Sequence, residues 1–308
     1  MMMVRDLSCF GESSVQIADA ASSSSSSTGA GAGGRGKSGG AAAQSLVTCH
    51  YHARLAGRPC VVSVTWSRGG IVGQAALGIA MEDAMSGKCL CRADVKPWLF
   101  SKHKGSKSLD VDGIGTVEMF WDLSSAKFGP GPEPLECFYV GVVCNLEMVL
   151  LLGDMRKEAY QKTGAGRPVM DTLLVARREH IAGKKVYSAR AQFSGSGKCH
   201  EIVIECDTAG VKDPCLEIRI DTRLVMRVKR LVWKFRGNQT ILVDALPVEV
   251  YWDVHGWLFS STVSNAVFMF QTCQAPEKSM PWLYSQIFKA PQEQGPGFSL
   301  ILHAWKVE

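Results

Sequence analysis

GSKSLDVDGIGTVEMFWD, residues 105–122, and GNQTILVDALPVEVYWD, residues 237–253, decide the fold. Each closes on nearly the same hexamer, VEMFWD at 117–122 and VEVYWD at 248–253. Four matches in six residues are not rare by chance, so the flanks carry the argument. Upstream lie Trp98-Leu99-Phe100 and Trp233-Lys234-Phe235, each ending a strand-like run, and before those GRPCVVSVTW from Gly57 lies against GKCHEIVIEC from Gly197. Downstream, CFYVGVVCNLEMVLLLG from Cys137 corresponds to AVFMFQTC from Ala266 plus GFSLILHAW from Gly297. The first copy joins its last two strands by a tight hairpin at Asn145-Leu146, where the second carries an insertion at 274–296. This colinear order is the signature of an internal duplication, with repeats at 45–153 and 186–308 and a connector at 154–185.

Period two makes each repeat a β unit. Val62, Val64 and Trp66 alternate with Val61, Ser63 and Thr65, and Leu216, Ile218 and Ile220 with Glu217, Arg219 and Asp221. In the hexamers Val117, Met119 and Trp121 share the core face while Glu118, Phe120 and Asp122 point away; Val248, Val250 and Trp252 repeat the arrangement. About seven strands per repeat, with turn signals every ~8–12 residues, predict an all-β chain of two tandem antiparallel sandwich or barrel-like units. Helix is expected only at DMRKEAYQK from Asp154 and MPWLYSQIFK from Met280, and the connector has a strand to donate, TLLVARREH from Thr172.

The stretches VRDLSCFGESSVQI, SVTWSR, FWDLSSAKFGPGPEPLECFYVGVV, LLLGDM and GFSLILHAWK together resemble the plant family catalogued as domain of unknown function 868. The resemblance covers nearly the whole chain except a Ser/Gly head. It implies a plant origin and a duplicated β fold, and it brings no catalytic residues.

Composition bounds the rest. A chain of 308 residues, 46% hydrophobic and 20% charged, buries real cores. The head is an exception: ASSSSSSTGAGAGGRGKSGGAAA, residues 21–43, holds no large apolar residue to offset the entropy of ordering, so residues 1 to about 44 are expected to be disordered. Their deletion is expected to leave the thermal unfolding midpoint within about 2 °C; a large fall, measured by calorimetry, would show that the head docks on the core. Arg5, Asp6, Glu12 and Asp19 argue against a secretory signal, and the three acids also count against a Ser-rich transit peptide. No segment has the length of uninterrupted apolar sequence that spans a bilayer. The expected setting is intracellular, cytoplasmic or nuclear, with a chloroplast as the alternative. Eleven cysteines, an odd number without a framework, are expected to be reduced and mostly buried.

Several motifs fail on context. Gly31-Ala32-Gly33-Gly34-Arg35-Gly36-Lys37-Ser38 spells a phosphate-binding loop, but a serine run precedes it and GGAAA follows, where a strand and a helix are required. Ser194-Gly195-Ser196-Gly197-Lys198 aligns with Leu55-Ala56-Gly57-Arg58-Pro59 and reads as a hairpin turn. His50 and His52 share a strand face but have no third ligand nearby in sequence, so no metal is expected. Glu118 with Asp122, and Glu249 with Asp253, sit about 13 Å apart at ~3.3 Å per residue, too far for the ~5–9.5 Å of paired glycosidase carboxylates. Only acids meeting across a cleft between repeats would revive an enzyme. No catalytic residue and no cofactor is assigned.

The most informative chemistry is basic. LEIRIDTRLVMRVKRLVWKFR, residues 216–236, sets Arg219, Arg223, Arg227, Lys229, Arg230, Lys234 and Arg236 against Glu217 and Asp221. The first repeat answers with Lys88, Arg92, Lys96, Lys102, Lys104 and Lys107 against Asp94. Basic strands ending in Trp-x-Phe suit an anionic ligand or single-stranded nucleic acid; the competing account pairs the cations with Glu118, Asp122, Glu249 and Asp253 across neighbouring strands. The alternation also breaks between Val228 and Leu231, which calls for a bulge or turn. The expected function is a non-catalytic binding or interaction module with a protein or anionic partner, against a small-molecule pocket or enzyme inside a barrel.

Overall fold

Alternating side chains commit most of the chain to sheet. The computed structural model of the protein describes residues 43–69, 74–95, 103–168, 172–194, 197–207, 212–260, 265–272 and 297–307. The head up to residue 42, Lys96, Trp98, Lys102, the turn pair 195–196, the 274–296 insertion and the helix expected at Met280 lie outside them. In chain order come β1 (Ala43–Leu55), β2 (Arg58–Gly69), β3 (Gln74–Asp83), β4 (Cys89–Val95), β5 (Lys104–Val111), β6 (Gly115–Asp122), the short pair β7 (Lys127–Phe128) and β8 (Pro134–Glu136), β9 (Tyr139–Cys144) and β10 (Glu147–Gly153). Helix α1 (Arg156–Thr163) precedes β11 (Leu173–Gly183). Then follow β12 (Val186–Gln192), β13 (Cys199–Cys206), β14 (Leu216–Ile220), β15 (Arg223–Val228), β16 (Arg236–Val243), β17 (Leu246–Asp253), α2 (His255–Phe259), β18 (Asn265–Thr272) and β19 (Ser299–Lys306). Among the described residues the first half holds the ten strands β1–β10, the short β7–β8 pair included, and the second the eight strands β12–β19, where about seven were expected in each, and β1 begins two residues inside the stretch expected to be disordered.

One nine-stranded sheet runs β16-β17-β18-β19-β11-β1-β2-β3-β4, and two four-stranded sheets run β10-β9-β6-β5 and β12-β13-β14-β15. Among the described residues no strand pairing closes any of these sheets, so the architecture is a pair of sandwiches. The connector strand β11 is the hinge of the arrangement: it pairs antiparallel with β1 and parallel with β19. Its register sets Glu179 beside Val47 on one side and Leu302 on the other, so the inner faces of both halves form one surface. One core joins Val62, Val64, Trp66 and Ile79 of the long sheet to Val117, Met119, Val140 and Val142 of the β5–β10 sheet. A second joins Tyr187, Ile202, Ile204 and Ile218 to Val248, Val250, Phe268 and Leu302.

The two quoted stretches occupy matching hairpins. Gly105 lies opposite Trp121 and Lys104 opposite Asp122; Gly237 lies opposite Trp252 and Arg236 opposite Asp253. Each tryptophan ring lies over the glycine, where a Cβ would come within 2.8 Å of Trp121 Cζ2 or 2.4 Å of Trp252 Cζ2. Lys104 Nζ meets Asp122 Oδ2 at 2.6 Å and Arg236 Nε meets Asp253 Oδ2 at 2.7 Å. Trp252 is buried, whereas Trp121 is only half-buried against its core. The Asn145-Leu146 hairpin is present, with both residues at positive φ (50° and 64°), the left-handed pair that a two-residue turn of matching twist requires.

Two expectations are corrected. Phe120 does leave the main core, but it is buried with Tyr139, Val143 and Met148 against Ala159, because α1 covers the outer face of the β5–β10 sheet. The cysteines are free, yet of the nine among the described residues only Cys49, Cys60, Cys144 and Cys206 are buried.

The outer face of the long sheet carries His50, Arg178, His180 and His303. His50 Nδ1 sits 2.8 Å from Ser63 Oγ, and the His180 and His303 rings lie with centroids 4.8 Å apart, tilted by 31°. Burial, with Arg178 adding to it, pushes His50 down to about 4; burial, then His180 and Arg178, does the same to His303. Because the unfolded chain binds a proton near 6.5 and the folded chain near 4, stability is expected to be intact above pH ~6.5 and to fall as pH drops towards ~4. A decrease of about 5 °C in the unfolding midpoint between pH 7 and 4.5 is expected, with a shallower slope in His50→Gln/His303→Gln; an identical slope in that variant would refute the assignment.

Candidate functional site

Hydrophobic spacing explains the turn between β15 and β16. Val228 is buried at the end of β15; the next inward residue is Leu231, fully buried, three positions on rather than two. The chain therefore leaves the strand and makes a tight turn, with the Trp233 N–H donating to Arg230 O at 2.9 Å and Arg230 at φ 56°. Leu231 N–H donates to Pro214 O, Lys234 O accepts the Trp252 indole N–H at 2.9 Å, and Phe235 turns inward, edge-on to His255 and Phe259. Anchored on both flanks, the turn presents Val232 and Trp233 outward. Trp233 is 84% exposed, an unusual position for an indole held on rigid backbone. It borders an open cleft of about 660 Å³ lined by Lys212, Asp213, Arg230, Val232, Trp233 and Lys234.

The structure sorts the cations singled out in sequence into two groups. Arg227 lies directly opposite Glu217 and pairs with it at 2.6 Å; Arg219 meets the same carboxylate at 2.7 Å. Arg236 pairs with Asp253, Lys104 with Asp122 and Arg92 with Asp94. Carboxylates of the fold thus neutralise these, across neighbouring strands for Arg227, Arg236 and Lys104, through Asp122 and Asp253 as the competing account has it, and two residues along the same strand for Arg219 and Arg92, while Glu249 instead accepts the Tyr251 hydroxyl at 2.6 Å. Lys229, Arg230 and Lys234 are exposed and make no ion pair among the described residues. Arg223 lies at the opposite end of β15, some five residues or ~16 Å away. Lys88 and Arg92 belong to β4 and its approach, at the far edge of the long sheet from β16, so neither joins the Trp233 turn.

The other candidates resolve into structure. Glu118 lies on the outer face of one sandwich's four-stranded sheet and Glu249 on the outer face of the long sheet, so they do not meet across a cleft. Among the described residues no group of three or more His, Cys, Asp or Glu side chains is placed to hold a metal ion. One constellation was not legible in sequence: buried His200 has Nδ1 2.8 Å from Asp221 Oδ2 and Nε2 3.0 Å from Asp244 Oδ2. The Glu201 backbone N–H, then His200, hold the Asp221 carboxyl down at about 2. Asp221 and Asp244 sit in the β14–β15 and β16–β17 turns, so the histidine ties two hairpin tips together.

The fold defines an all-β protein of two sandwiches built on one shared sheet. The chain belongs to a plant family described as plant protein of unknown function, DUF868, whose family model matches residues 42–306. No curated protein and no solved structure matches the chain. No helix among the described residues is long and apolar enough to cross a membrane.

Proposed function

We propose that the protein is a non-catalytic binding module that engages an anionic partner through the β15–β16 turn. One observation carries the reading: Trp233 stands 84% exposed on a pinned turn, beside three cations that no carboxylate among the described residues neutralises. Exposed, unpaired charge on rigid backbone is held ready for a partner's opposite charge, whereas Arg219, Arg227 and Arg236 are already satisfied within the fold. The two matching Gly–Trp hairpins support a further reading, that the two halves derive from one duplicated unit.

The test is retention of the full chain on heparin. Lys229→Glu/Arg230→Glu/Lys234→Glu is expected to elute at clearly lower salt than wild type, because every cation withdrawn from a phosphate-like group takes about one unit off the slope of the salt dependence. Equal elution of the two, with both folded by circular dichroism, would remove the anionic partner from consideration.

A further inference from the structure

We propose that the Val232-Trp233 turn is a membrane-surface anchor that seats its indole at the headgroup level of an anionic bilayer, with Lys229, Arg230, Lys234 and Lys212 on the lipid phosphates. This rests on the reading that the turn takes an anionic partner, and it names the partner.

The shape of the site favours a bilayer over nucleic acid. Proteins that hold single strands stack successive bases on several aromatic rings along a basic groove. On this turn one ring is presented: Trp233 points out, and Phe235, two residues on, is committed to His255 and Phe259. A single indole is what the lipid interface accommodates, since its flat apolar body enters the acyl boundary while the N–H stays among polar headgroups. Val232, 37% exposed beside it, extends the apolar tip. The cations surround that tip: Lys229, Arg230 and Lys234 lie within the same turn, and Lys212 lines the same cleft, with Asp213 the one acid lining it among the described residues. The tip is also preorganised. Leu231 is fully buried, its N–H is bound by Pro214 O, and Lys234 O is bound by the Trp252 indole, so the turn enters the interface without ordering first. Apolar insertion and charge attraction then add, which is how proteins without a spanning helix hold a membrane surface.

The experiment is sedimentation of the full chain with vesicles of phosphatidylcholine alone, and of phosphatidylcholine carrying about a third phosphatidylserine, alongside heparin retention. Wild type is expected to pellet with the anionic vesicles and not with the neutral ones. The triple charge reversal should lose that binding by more than ~100-fold, at roughly five-fold per basic residue. Trp233→Ala should lose roughly ten-fold on vesicles, as expected for one buried apolar side chain, yet keep its heparin retention, because heparin offers charge and no acyl boundary. Its unfolding midpoint should stay unchanged, since the ring packs against little. Failure of wild type to pellet with anionic vesicles, or no effect of Trp233→Ala on that binding, would overturn the anchor. If Trp233→Ala instead weakens binding to a single-stranded oligothymidylate while vesicles go unbound, the partner is single-stranded nucleic acid, the anchor is wrong, and the anionic-partner reading survives. Wild-type heparin retention in the triple charge reversal would sink both.

Discussion

Arg177→Ala is expected to cost about 3–5 kcal/mol of stability, measured by urea unfolding, because it takes their shared cation from the buried Glu179 and the partly buried Glu133. Arg177 stands on β11 where the two sandwiches meet. Its guanidinium donates from Nη1 to Glu133 Oε1 at 2.9 Å and to Cys49 Sγ at 3.3 Å, from Nη2 to Glu133 Oε2, and from Nε to Glu179 Oε1. Glu179 is 1% exposed, so water does not replace the lost partner. Burial pushes the Cys49 thiol up to about 12, which keeps it neutral and leaves charge balance to the arginine. Because desolvating the charges offsets much of their mutual attraction, Arg177→Met/Glu179→Leu/Glu133→Leu, which removes every charge together, is expected to recover most of the loss. A deficit under about 1 kcal/mol in Arg177→Ala would show that the carboxylates are relieved in another way.

The second large effect belongs to the Gly–Trp hairpins. Trp252→Ala is expected to cost about 3–5 kcal/mol, since the ring is buried, packs in the second core, and has its N–H bonded to Lys234 O. Gly237→Ala should cost about 1–3 kcal/mol for the opposite reason: its Cβ would stand 2.4 Å from Trp252 Cζ2 and 2.8 Å from Cη2, and the ring is held in place by that same hydrogen bond. The two changes touch, so they are not additive; Gly237→Ala/Trp252→Ala should cost less than the sum, because truncating the ring leaves room for the added methyl. Strict additivity in urea titrations would mean that the glycine is not there to admit the ring.

Much of this was legible in the chain. Period two placed Val62, Val64, Trp66, Ile218 and Val250 inward, and all are buried. Asn145-Leu146 announced a hairpin, TLLVARREH a strand, and DMRKEAYQK a helix, each of which is present. The break in alternation after Val228 announced the turn that carries the candidate site. Helix α2 was missed, because its five residues are too short to show a period.

What sequence determined by itself is local: which side chains alternate, where the alternation breaks, and where a turn residue permits reversal. These depend on backbone geometry within a few residues, which every isolated stretch carries with it. Only the tertiary structure decided that β11 bridges β1 and β19, that α1 buries Phe120, that His200 clamps two distant turns, and that Arg219, Arg227 and Arg236 are neutralised while Lys229, Arg230 and Lys234 are not. Those outcomes depend on which strand edges and charges meet across separations of many residues, and a run of seven cations looks the same before and after its carboxylates are folded onto it. Trp233 is the sharpest instance: alternation set Trp233 and Phe235 on one face and left open whether that face turned inward, and the structure parts them, with Phe235 packed against the core and the indole outside.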